Sequence, residues 1–96
     1  MKGTLEILND IEEYVLRTND PYSAWHVGVT TDVVKRLADR GLGSGDLYAH
    51  AVTSSSAQAR TVMRFLLYRG MINDLENCDQ EANNVYVYKK SVETNS

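Results

Sequence analysis

Three segments of the chain alternate residue character with period two, and helical repeats separate them. A chain patterned this way has to build a sheet with helices packed against it. In the first segment Trp25, Val27 and Val29 take one face and His26, Gly28 and Thr30 the other, which predicts a strand over 25–29. The second runs from Asp46 to Thr53, with Leu47, Ala49 and Ala51 opposite Tyr48, His50 and Val52. The third is Val85-Tyr86-Val87-Tyr88-Lys89.

The helices have their own signals. Leu5, Leu8, Ile11 and Val15 recur at steps of three, three and four, predicting a helix over 5–17 that Thr4 caps and Glu6 favours electrostatically. Thr30 or Thr31 caps a helix over 32–40 that stops at Gly41. Ser54-Ser55-Ser56 offers several caps for the longest helix, 57–69. Its buried stripe is Ala59, Val62, Met63 and Leu66 with Phe65 alongside, and Gly70 and Met71 close it. Leu42-Gly43-Ser44-Gly45 and residues 72–83 read as connections. The expected fold is α+β in the order α-β-α-β-α-β: a small three-stranded mixed or antiparallel sheet packed with three helices. It forms one domain over 1–90, with 91–96 a flexible tail.

The segment from Trp25 to Leu37 carries the most functional information. Its strand carries His26-Val27-Gly28, Thr30 follows, and a capped helix then presents Arg36-Leu37. This resembles the second half of the GIY-YIG endonuclease motif, with His26-Val27-Gly28 where Tyr-Ile-Gly would stand. The following strand and the long helix after Ser54 keep the family's order, so the resemblance covers roughly residues 22–70. It implies that Arg36 holds a phosphate and that His26, in a tyrosine's place, serves as a base. Family-matched positions are therefore His26, Gly28 and Arg36.

Two departures argue against catalysis. No Gly-Ile-Tyr precedes the strand, and from Ser54 to Ile72 there is no Asp or Glu. The family's metal-binding glutamate would fall near Met63, whose thioether does not hold Mg²⁺. No metal and no cofactor is expected.

Net charge is −3, but its distribution is uneven. Residues 1–32 carry six acids against Lys2 and Arg17, residues 33–72 six bases against Asp39 and Asp46, and residues 73–96 five acids against Lys89 and Lys90. Arg36 and Arg40 are four apart on one helix, as are Arg60 and Arg64 on another. If those faces adjoin, the four arginines form a phosphate-binding patch; otherwise they are solvated, or pair with Asp10, Glu12 and Glu13.

His26 and His50 with Cys78 have spacings that match no common zinc arrangement. Cys78 sits among Asp74, Glu76, Asp79 and Glu81, which disfavour a thiolate. The single cysteine fits a reducing, cytoplasmic setting, and neither a signal peptide nor a membrane span is legible.

Two functions remain. The favoured one is a non-catalytic GIY-YIG-like binding or interaction domain, with a protein partner preferred over nucleic acid because of the net negative charge. The alternative is a metal-dependent endonuclease or phosphodiesterase with an altered active site. Oligomeric state stays open.

Overall fold

A computed structural model describes residues 3–19, 21–39, 41, 47–74 and 82–89. Arg40, Cys78, the Leu42-to-Gly45 connection and the 91–96 tail lie outside these residues.

The elements are helix α1 (Thr4–Arg17), a 3₁₀ turn (Tyr22–Ala24), β1 (His26–Thr30), α2 (Val33–Asp39), β2 (Leu47–Val52), α3 (Ser56–Arg69), β3 (Ile72–Asn73) and β4 (Asn84–Lys89). The α+β class holds, but the sheet has four strands in the order β2-β4-β1-β3. β4 is antiparallel to both β1 and β2, whereas β3 runs parallel to β1. The sheet is therefore mixed. The additional strand is two residues long, too short for an alternation to register in sequence. It is defined by backbone bonds from Ile72 N–H to Trp25 C=O and from Asp74 N–H to Val27 C=O, 2.8 and 2.9 Å.

Side-chain alternation divides the protein into two layers around the sheet. Trp25, Val27, Val29, Val85 and Val87 point to one side, where they pack with Ile7, Leu8, Ile11 and Val15 of α1 and Ala59, Val62, Met63 and Leu66 of α3. The Trp25 ring meets Tyr14 edge to face, with centroids 5.8 Å apart. The opposite side is thinner. There Val33 and Leu37 of α2 cover Tyr86 and Tyr88.

Several local expectations shift by a residue. Gly3, not Thr4, is the N-cap of α1, and its N–H donates to Glu6 Oε1 at 3.4 Å. Leu5 is 74 % exposed and Ile7 takes its expected place in the core. At roughly 100° per residue Ile7 lies nearer the middle of the apolar stripe than Leu5 does. Asp32 caps α2, its Oδ1 accepting from Lys35 N–H at 3.1 Å, while Thr30 Oγ1 accepts from Asp32 N–H at 3.2 Å. Of the three serines before α3, Ser55 is the cap, accepting from Gln58 N–H at 3.1 Å. Phe65 faces outward, 45 % exposed. Gly70 closes α3 in the left-handed region at φ 119°, and Met71 is buried beyond it as the apolar partner of that cap.

Candidate functional site

The thin side of the sheet gathers His26, Arg36, Asp74, Tyr86 and Tyr88. β1 and β4 hold the first and last of these in register, with Gly28 opposite Tyr86 and His26 opposite Tyr88. Tyr86 projects from β4 across β1 toward Asp74, which follows β3 on the far side of β1. Only a glycine permits this crossing. A Cβ on residue 28 would stand 2.6 Å from Tyr86 Oη and 2.8 Å from Cζ, closer than packed atoms approach. The Gly28 that the sequence resemblance singled out thus has a steric duty that its motif position did not disclose.

Asp74 is the hub. Tyr86 Oη–H donates to its Oδ2 at 2.6 Å and Tyr88 Oη–H to its Oδ1 at 2.9 Å. Two buried phenols need acceptors, and one carboxylate serves both with charge-assisted bonds. Arg36 Nη1 donates to the Tyr86 oxygen at 3.3 Å, placing a guanidinium on the other side of the same hydroxyl. Burial first, and then the hydrogen bond and negative charge of Asp74, push the Tyr86 phenol up to about 12; Arg36 opposes this only in part. The His26 ring stacks on Tyr88 at 4.9 Å with 6° between planes, and its buried Nδ1 has no acceptor or donor among the described residues. Tyr86 and Tyr88 are themselves parallel, 6.2 Å apart.

Beside this network a recess of about 170 Å³ lies between Thr30, Thr31 and the outer face of α2. Lys35 and Arg36 line it together with Asp32 and Asp39, so its charges balance. That is a poor setting for a phosphate held by charge alone.

The faces of the candidate four-arginine patch do not adjoin among the described residues. Arg36 belongs to α2, which packs on the tyrosine side, whereas Arg60 and Arg64 belong to α3, which packs on the valine side. The sheet lies between them, and Arg40 is outside the described residues. Of the acids offered as partners, Glu12 pairs with Arg69, not Arg60 or Arg64, at 2.8 Å. His26 and His50 do not share a strand pair either, because β4 runs between β1 and β2. Among the described residues no three His, Cys, Asp or Glu side chains gather as a metal site, and no helix is long and apolar enough to cross a membrane.

Sequence reasoning missed Asp74, Tyr86 and Tyr88 as members of the cluster. The alternation in Val85 to Lys89 placed both tyrosines on one face, but nothing in it says which strand lies alongside. No family model, curated protein or solved structure matches this chain.

Proposed function

We propose that this is a GIY-YIG-like domain that binds a partner without cutting phosphodiester bonds. The observation that carries the reading is the state of the Tyr86 hydroxyl, which donates to Asp74 and accepts from Arg36. A phenol pushed up to about 12 is protonated throughout the neutral range and does not take a proton from water. Asp74, the cluster's carboxylate, is already committed to two tyrosines. At the position where the resemblance asks for a metal-binding glutamate, Met63 is buried in the apolar core. Net charge and the balanced recess beside Arg36 favour a protein partner over nucleic acid. A cytoplasmic setting, resting on the single cysteine, belongs to the same proposal.

The alternative, an altered metal-dependent phosphodiesterase, draws on one specific observation. Gly-Ile-Tyr is lacking ahead of β1, but Tyr86 of β4 lies opposite Gly28 of β1 with Arg36 in contact, which would offer a tyrosine beside the matched strand. The two readings part in a cleavage assay on labelled single- and double-stranded DNA and RNA in Mg²⁺ or Mn²⁺. The binding reading expects no cutting above background by the wild type or by a His26→Ala, Arg36→Ala double variant. Metal-dependent cutting that disappears in the double variant overturns it.

A further inference from the structure

Among the described residues the sheet has one long unpaired edge. β2 pairs with β4 on one side, and among the described residues no strand pairs on the other. Two sets of hydrogen bonds fix which backbone groups face that edge. Thr53 N–H donates to Asn83 C=O at 2.8 Å, and Thr53 stands opposite Asn83 by continuation of the β2–β4 register. Antiparallel pairs alternate between bonded and non-bonded, so Ala51, Ala49 and Leu47 turn their N–H and C=O toward β4. The other side of the sheet agrees. Trp25 and Val27 give their carbonyls to β3, which leaves His26, Gly28 and Thr30 to bond β4 and residues 85, 87 and 89 to bond β2. The backbone groups of Tyr48, His50 and Val52 therefore point outward. All three side chains are exposed, and Leu47 to Val52 contains no proline, charge or bulge to guard the edge.

A groove of about 510 Å³ runs along this edge between β2 and α1. Ala49 and Ala51 line it along with His50 and Val52, residues of both strand faces, so it opens onto the strand's edge and not only onto one face. Small side chains at 49 and 51 leave the gap, where the central strand has Val85 and Val87. The α1 wall is apolar at Ile7, Ile11 and Tyr14 and acidic at Asp10 and Glu13, with Arg17 at the helix's last turn.

We infer that the β2 edge captures an extended, lysine- or arginine-bearing segment of a partner protein as an added strand. Backbone bonds to Tyr48, His50 and Val52 hold the guest, and its alternate side chains enter the groove. A lysine or arginine suits that groove because its stem lies along Ile7, Ile11 and Tyr14 while its cation meets Glu13. A second copy of this chain is less well matched, since two β2 edges pairing antiparallel would bring like-charged α1 walls and two chains of net charge −3 together. The inference rests on strand pairing and stands whether or not the domain cuts phosphodiesters.

The test is fluorescence anisotropy with a labelled alternating lysine–valine hexapeptide and its glutamate–valine counterpart. The basic peptide is expected to bind at least about tenfold more tightly. His50→Ala keeps the outward N–H and should retain binding. His50→Pro removes that N–H without touching the β4 ladder, and should weaken binding about tenfold or more with an unchanged circular dichroism spectrum. Should the proline variant fail to fold, N-methylating the peptide at each of its two alternate sets in turn decides the matter, because only the set facing β2 should abolish binding. Equal affinity of the two His50 variants, equal affinity of the two methylated peptides, or no binding of the basic peptide overturns the proposal. So does a wild-type dimer in sedimentation that His50→Pro dissociates and the peptide does not displace, which assigns the edge to a second copy.

Discussion

The ring of Tyr86 crosses the backbone of Gly28, so that a hydroxyl carried on β4 reaches Asp74 beyond β1. This single crossing ties three strands together at the level of side chains. It also explains the coexistence of a motif-like glycine, a buried phenol and a carboxylate outside the motif.

Gly28→Ala should cost about 1–3 kcal/mol, because its methyl meets a ring held by α2 on one side and Asp74 on the other. In a Tyr86→Ala background most of that cost should disappear. A double-mutant cycle by urea denaturation reads the coupling, and additivity within about 0.5 kcal/mol would show the crossing to be unimportant.

Tyr86→Phe should cost about 1–2 kcal/mol near neutral pH, through loss of the bond to Asp74. Its signature lies at high pH. The folded-state pKa, about 12, is above the ordinary value of 10.0, so this phenol's contribution is intact below pH 10 and is lost as pH rises through 12. Across that window wild-type stability should fall relative to Tyr86→Phe by on the order of 2 kcal/mol. Parallel curves for the two proteins would contradict the raised pKa.

Asp74→Ala strands the Tyr86 and Tyr88 hydroxyls and should cost about 2–4 kcal/mol, whereas Asp74→Asn keeps one acceptor oxygen and should cost roughly half as much. Thermal melts resolve this, since each kcal/mol moves the midpoint of a domain this size by about 4–8 °C.

Among Ser54, Ser55 and Ser56, Ser55→Ala alone should show a full capping loss of about 1 kcal/mol. Equal melting shifts for alanine at 54 and 55 would mean that the cap is shared.

These predictions divide between what the sequence could and could not disclose. Alternation at Trp25 to Thr30 and Leu47 to Val52 separated the faces correctly, because successive side chains of a strand point to opposite sides and the set facing the main core is apolar. The partner of each strand left no such record. Nothing local to Val85 to Lys89 says that it sits between β1 and β2, so neither the separation of His26 from His50 nor the reach of Tyr86 was legible. The arginines show the same limit from the other direction. Spacing placed Arg36 on one helix and Arg60 and Arg64 on another, but which side of the sheet each helix covers is set by connections that carry no periodicity. Asp74 escaped because it follows a two-residue strand inside what reads as an acidic connection.

The central claim is that the Tyr86 hydroxyl is a fixed donor and not a base. The most direct test is carbon-13 NMR of Cζ-labelled tyrosine, with Tyr86 assigned by its loss in Tyr86→Phe, titrated upward from neutral pH. The account predicts a midpoint of about 12. A midpoint below about 9 would give a phenolate accessible to catalysis and would contradict it.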